Sequence, residues 1–200
     1  MPKSNISVLV GRLGKGDVEA FREVYLIYYS KLLRYGNIIL PDPVVVEDEI
    51  QDLFVWIFQN PEKIRHINNF EVYLFQSLKK NIVCRIKENR RSQEILDQFL
   101  AENSIERYSY TVEDRLIQEE SKVLNKKLLK RHFDSLPACQ KEVIYLRYYE
   151  GLCYDEIAAV ISKSNQVARN YAARALRHLR KIDWRLPSAT FLLSNLNSFN

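Results

Sequence analysis

The sequence is short of the residues that punctuate a chain. Its 200 residues include only 5 glycines and 6 prolines. Antiparallel β folds spend Gly, Pro and Asn-Gly on their turns, so this shortage argues against a sandwich or a barrel. The cysteines number 3 and have no CxxC spacing. An odd, scattered set (Cys84, Cys139, Cys153) argues against a disulfide scaffold or a zinc site and suits a reducing cytosol. His66, His132 and His178 stand far apart, near no nucleophile or acid pattern. With no paired carboxylates and no Gly-rich loop either, the chain offers no catalytic residue, metal site or cofactor site. No apolar run approaches the ~18 residues of a membrane span. Met1-Pro2-Lys3-Ser4-Asn5-Ile6 lacks the apolar core of a signal peptide, so a cytoplasmic protein is expected.

What is present is helix pattern and segregated charge. The formal net charge is +5, and its distribution says more than its sum. Residues 76–91 hold six Lys/Arg against one Glu, and residues 163–185 hold seven against one Asp. Between them, residues 92–121 hold eight Asp/Glu against two Arg. One charged run commonly keeps a helix soluble. Two basic runs, each on a helical pattern, point toward a polyanion partner.

Apolar residues from Val18 to Leu33 recur at three and four, which predicts a helix capped by Asp17 and stopped by Pro41 and Pro43. A second helix is expected over 43–59, with proline in its first turn, and a third over 70–91. The pattern loosens and turns acidic from 92 to 111, which reads as a linker with some helical content. Helices are then expected over 112–133, 138–149, 154–161 and 165–182, followed by a tail over 184–200. The short turn between the last two helices outlines a helix-turn-helix. Ala168, Ala172, Ala175, Leu176 and Leu179 form the packing stripe of its second helix. Gln166, Arg169, Asn170, Ala173, Arg174 and Arg177 face outward, where Arg and Asn suit phosphates and base edges. A basic surface helix in an ordinary bundle fits that segment equally well.

Taken in order, these segments resemble the sigma-70 family of bacterial sigma factors, specifically the small extracytoplasmic-function group with two end domains. Gly16-Asp17-Val18-Glu19-Ala20-Phe21 is similar to the opening of region 2. Val46-Glu47-Asp48-Glu49-Ile50-Gln51-Asp52-Leu53-Phe54 resembles the stretch that binds the clamp helices of RNA polymerase. Phe70, Tyr73-Leu74-Phe75 and Asn81 are similar to the segment that melts and reads the minus-ten element. Leu136-Pro137, Glu142-Val143, Glu150-Gly151-Leu152 and Tyr154-Asp155-Glu156-Ile157-Ala158 resemble the start of region 4. Arg169-Asn170 and Arg174-Ala175-Leu176 resemble its recognition helix for the minus-thirty-five element. The resemblance covers residues 7–182 in the right order.

The resemblance implies an all-α protein of two small helical domains joined by an acidic linker. Residues 1–92 would form the region 2 bundle, 93–111 the linker, 112–183 the region 4 helix-turn-helix and 184–200 the tail. It assigns polymerase binding to Asp48, Gln51, Asp52 and Phe54. It assigns minus-ten contacts to Tyr73, Phe75, Lys79, Lys80, Asn81 and Arg85, and minus-thirty-five contacts to Ser164, Gln166, Arg169, Asn170, Ala173, Arg174 and Arg177. The partners implied are core RNA polymerase and promoter DNA, with an anti-sigma factor as a further candidate and no membrane insertion.

The chemistry of these residues agrees. Asp48, Gln51 and Asp52 share one helix face, where acids suit a basic helical partner; a plain solvated face is the alternative. Aromatics beside Lys79, Lys80 and Arg85 suit stacking on unpaired bases, although one or more of Tyr73, Leu74 and Phe75 belongs to the core. The acidic linker could imitate nucleic acid or serve as a disordered tether. Departures from the family pattern gather at the turn. Ser162 and Lys163 stand where Gly and an apolar residue are usual, and a left-handed Ser162 would cost about 1 kcal/mol. Cys153 replaces a capping Ser, Val167 replaces a Thr and Arg85 stands where Asp or Asn is frequent. Two other functions stay open: a stand-alone helix-turn-helix regulator, and a sigma-like decoy that occupies an anti-sigma factor.

Overall fold

The computed structural model describes residues 3–103, 133 and 135–180. The tail over 184–200 lies outside the described residues, as do residues 104–111 of the linker and all but the last residue of the helix expected over 112–133. The described residues form helices joined by turns, in the order α1 (Lys3–Leu13), α2 (Val18–Ile39), α3 (Pro43–Gln59), α4 (Pro61–Ile64), α5 (Phe70–Asn103), α6 (Ala138–Tyr148), α7 (Tyr154–Ile161) and α8 (Asn165–Leu179).

Helix α2 starts where its cap predicts. The Asp17 carboxylate accepts the backbone N–H groups of Glu19 at 3.0 Å and Ala20 at 3.1 Å. Arg12 of α1 donates to the same side chain at 2.8 Å, tying the turn between the two helices. The Arg12 hydrogen bond, and then the one from Ala20, hold that carboxyl below its ordinary pKa. Along α2, Ala20, Val24, Tyr28, Leu32, Tyr35 and Gly36 are buried as a single stripe. Asp42 caps α3 through the Val45 N–H at 3.3 Å, with Pro43 in the first turn. Val46, Ile50, Leu53, Phe54 and Ile57 of α3 are buried in the same core. Fully burying an aliphatic side chain of this size stabilises by roughly 1.5–3 kcal/mol, so this core dominates local propensity.

Asn69 caps α5, its side chain accepting the Val72 N–H at 3.1 Å. Phe70, Leu74, Phe75, Leu78 and Ile82 line its buried side. The helix continues to Asn103, past residue 92 where the linker was expected to begin, so the first part of that linker is helical. In the second half of the chain, α6 carries five consecutive buried residues, Glu142 to Leu146. Gly151, at φ +72, makes the left-handed turn that returns the chain toward α7. Buried Ile157, Val160 and Ile161 of α7 and Ala168, Ala172 and Ala175 of α8 complete the helical triplet.

Among the described residues, 3–82 and 136–178 fall in a single compact unit. The two sets of helices read from sequence as separate domains are therefore packed together in that unit. Tyr35 of α2 stacks on Tyr145 of α6 at 6.2 Å between ring centroids.

Gly36 sits where the core leaves no room for a side chain. A Cβ added there would run into Val46 Cγ1 and come within 3.3 Å of Ile82 Cδ1. In an open helix Gly→Ala gains ~1 kcal/mol, whereas overpacking a core costs about 1–3 kcal/mol. Gly36→Ala is expected to lower stability by about 1 kcal/mol in urea unfolding. Adding Val46→Ala should remove the clash, so the double variant should be more stable than the two single losses summed.

Candidate nucleic-acid interface

The outward face of α3 carries the residues expected to meet polymerase. Asp48, Gln51 and Asp52 are all exposed, at the spacing that puts them on one side of the helix. Val44 and Val55 extend the same face and are 70% and 51% exposed. The sequence reading missed these two valines, although their spacing of four and three from the acids marks them. The result is an acidic stripe with apolar ends, suited to a partner helix that is basic and apolar together. Phe54 is a correction: at 2% exposure it faces inward, against Tyr25 at 4.9 Å and Phe21 at 6.1 Å. It lies with Ile50, Leu53 and Ile57 on the core side and supports the stripe without reaching a partner.

On α5, Tyr73 and Lys80 stand two turns apart. Lys80 is exposed and Tyr73 half-buried, and burial raises the Tyr73 phenol pKa above its ordinary value. Trp56 of α3 packs on Tyr73 at 6.1 Å, and the Lys63 ammonium lies 5.4 Å from the Trp56 ring. Trp56 had not been singled out as a site residue; its doubling of the aromatics beside Phe58 was the available signal. Phe75 is a second correction. It is fully buried and meets Tyr35 edge-on at 5.0 Å, so no base can stack on it. Asn81 and Arg85 are half-buried at the flanks of the helix.

Lys79 is already engaged. Its ammonium donates to both carboxylate oxygens of Glu142, at 2.8 and 2.9 Å. The Tyr35 hydroxyl donates to the same carboxylate at 2.7 Å. Burial, and then the Glu142 charge, push the Tyr35 phenol well above its ordinary pKa. One helix turn away, Lys31 pairs with Glu150 at 2.8 Å and Glu71 at 3.2 Å. Burial lowers the Lys31 pKa, and the two carboxylates more than reverse that effect.

Helix α8 presents Gln166, Arg169, Asn170, Ala173, Arg174 and Arg177 outward, all exposed. Its N-terminus is closed by Ser164, whose hydroxyl accepts the Val167 N–H at 3.4 Å. Arg169 is held in place before any ligand arrives. Its Nε donates to Asn165 at 2.6 Å, Asn165 donates to Asp155 at 2.6 Å, and the guanidinium lies 4.8 Å from the Tyr154 ring. Arg147 lies near the same ring at 5.0 Å. Cys153, though no Ser, keeps one half of a capping box, because its N–H donates to Glu156 at 2.7 Å. Among the described residues no group of His, Cys, Asp or Glu is placed to hold a metal ion.

Known proteins are similar to this chain in sequence and in fold. Residues 133–181 match Sigma-70, region 4. The ECF RNA polymerase sigma factor SigW of Bacillus subtilis is 22% identical over 86% of this chain and 93% of its own length. The ECF RNA polymerase sigma-E factor of Escherichia coli K12 is 27% identical over 84% of this chain and 88% of its own. The chain is thus similar, over most of its length, to sigma factors of the extracytoplasmic-function group. A solved structure, the sigma factor RpoE in complex with the anti-sigma factor NepR from Bartonella quintana, superposes with a TM-score of 0.56. It covers 82% of this chain and 98% of that one at 19% identity, and it establishes the shared fold. The region 4 match lies inside the segment 112–183 assigned from sequence.

The departure from the sigma-70 pattern at the turn has a visible cost. Ser162 closes α7 at φ 53 and ψ 48, the left-handed conformation that glycine adopts without strain. Its N–H still donates to Ala159 at 3.2 Å, and Lys163 N–H reaches Ala158 at 3.0 Å, so the turn is complete. Ser162→Gly is expected to raise stability by about 0.5–1 kcal/mol, read as a higher Tm.

Proposed function

We propose that this chain is a promoter-recognition subunit, an extracytoplasmic-function sigma factor that binds core RNA polymerase and directs transcription initiation. The observation that carries this reading is the pairing, in one chain, of the acidic and apolar α3 face with a region 4 helix-turn-helix whose basic face is exposed. A stand-alone regulator has no use for the first of these. In this reading residues 1–92 meet polymerase and the minus-ten element, residues 93–111 link them to the second domain, and residues 112–183 hold the minus-thirty-five element.

Asp48, Gln51 and Asp52 contact polymerase, with Val44 and Val55 beside them. Tyr73 and Trp56 offer stacking surfaces to unpaired bases, while Lys80, Asn81 and Arg85 hold the strand. Arg169, Asn170, Arg174 and Arg177 enter the major groove, with Gln166 and Ser164 near the helix N-terminus and Ala173 leaving room for a close approach. The chain itself performs no catalysis. Nucleotide transfer belongs to the polymerase, and the site of action is the cytoplasm. No helix among the described residues is long and apolar enough to cross a membrane. An anti-sigma factor is a further partner of this reading, supported by the structural likeness to a sigma factor that was solved with one.

The unusual turn at Ser162 and Lys163 is the sequence feature that would favour the decoy reading. Ser162 takes up the left-handed turn and α8 packs normally behind it, so the turn does not disable the basic face.

The deciding experiment is a pull-down with bacterial core RNA polymerase followed by transcription from a pooled genomic template. Stable binding with new, discrete start sites supports the sigma-factor reading; DNA binding without polymerase transfers the case to the stand-alone regulator. Asp48→Ala with Gln51→Ala is expected to weaken polymerase binding while leaving duplex affinity unchanged. Equal loss of both would count against the α3 assignment. Arg174→Ala is expected to cost about 1–3 kcal/mol of duplex affinity and to relax specificity at one base position. A uniform loss across sequences, with the salt slope reduced by about one, would make Arg174 a phosphate contact.

A further inference from the structure

On the exposed face of α8, Arg169 is tethered through a single nitrogen. Its Nε donates to the Asn165 side-chain oxygen at 2.6 Å, one helix turn back, and the Asn165 amide nitrogen donates to Asp155 at 2.6 Å. Asn165 was not among the residues expected to meet DNA. Arg offers only donors and an ionised Asp only acceptors, so these two neighbours fix which way the Asn165 amide points. The guanidinium also lies 4.8 Å from the Tyr154 ring. No other hydrogen bond or ion pair engages Arg169 among the described residues, so its two terminal nitrogens remain open to a ligand. A direct pair with Asp155 would occupy the guanidinium fork and cancel its charge. The interposed amide sets the direction of the side chain and leaves the charge in place. Arg174 and Arg177 share the exposed face without a tether of this kind among the described residues.

We infer that Asn165 is a positioning residue: with Asp155 behind it, it presents the terminal nitrogens of Arg169 end-on to a base edge and sets a guanine preference at one position of the duplex. This rests on α8 addressing duplex DNA under the proposed function. Two parallel N–H donors match the O6 and N7 acceptors that guanine shows in the major groove, whereas adenine shows a donor beside its N7. A guanidinium already fixed in direction has little rotamer freedom left to lose on docking. Nor can it turn to accommodate another base without breaking its bond to Asn165. Asn165 itself need not touch DNA. Its contribution is to discrimination, not to the charge attraction that every sequence receives equally.

The test is a selection from duplexes randomised over the minus-thirty-five region, made with the full chain bound to core RNA polymerase and scored as base preference at each position. Arg169→Ala identifies the position that Arg169 reads. Asn165→Ala should lower the guanine preference there by roughly tenfold, while the other positions, the salt slope and the Tm stay as in the wild type. Asp155→Asn keeps an acceptor for the Asn165 amide and should retain the preference; Asp155→Ala releases the amide and should lose part of it. A role confined to holding α7 against α8 would instead lower the Tm or weaken all sequences alike, and would move no single position. A preference unchanged in Asn165→Ala, a loss spread evenly over the motif, or a base other than guanine at the Arg169 position overturns the positioning role and leaves the sigma-factor reading intact. A wild-type chain that binds no polymerase overturns both.

Discussion

The compact unit depends on satisfying one hydroxyl. Tyr35 is fully buried in the middle of the described core, and its O–H has to find an acceptor there or carry the cost of an unmet hydrogen bond. It finds Glu142, which in turn has to be neutralised, and Lys79 of α5 does so. The ring of the same tyrosine packs on Phe75 and on Tyr145. Helices from both halves of the chain are thereby registered against α2 by a single side chain. Apolar packing around it supplies most of the favourable free energy. The polar triad selects which arrangement of those apolar faces is adopted.

Much of the local structure was legible because periodicity and caps agreed. Asp17, Asp42 with Pro43, and the stop at Pro61 mark α2 and α3, and the alternation of stripe and turn marks α6, α7 and α8. Helix α1 was not foreseen: among the described residues Leu9 and Leu13 are its buried apolar side chains, too few to set a clear period, and Gly11 interrupts its second half. Helix α4 is a single turn, too short for any periodicity to show. The extension of α5 to Asn103 was read as linker because acids accumulate there, although Ile95, Leu96, Phe99 and Leu100 keep a helical spacing. Length and charge alone do not end a helix that has no proline or glycine to stop it.

The site was less legible than the fold, and for a different reason. Phe54 and Phe75 were chosen because aromatic residues in those motifs suggest contact, yet their positions beside Ile50 and Leu53, and beside Leu74 and Leu78, put them on the inward faces. Helical position outranked residue chemistry in both cases. The engagement of Lys79 could not be read at all. Its partner lies 63 residues away across the acidic segment, and a pairing at that separation leaves no trace in local spacing. Trp56 was hidden similarly, since its neighbour Tyr73 belongs to another helix.

The clasp on Arg169 has a consequence for modularity. Tyr154 and Asp155 open α7, yet they fix, through a ring face and through Asn165, the direction of a side chain on α8. In the proposed function, the part of this molecule that addresses DNA is thus larger than the helix that carries its basic face. If α8 alone were grafted onto a foreign helix-turn-helix, Arg169 would arrive as a free rotor with its conformational entropy still to lose on binding. The smallest transplantable unit with a defined guanidinium is the stretch from Tyr154 to Leu179, turn included.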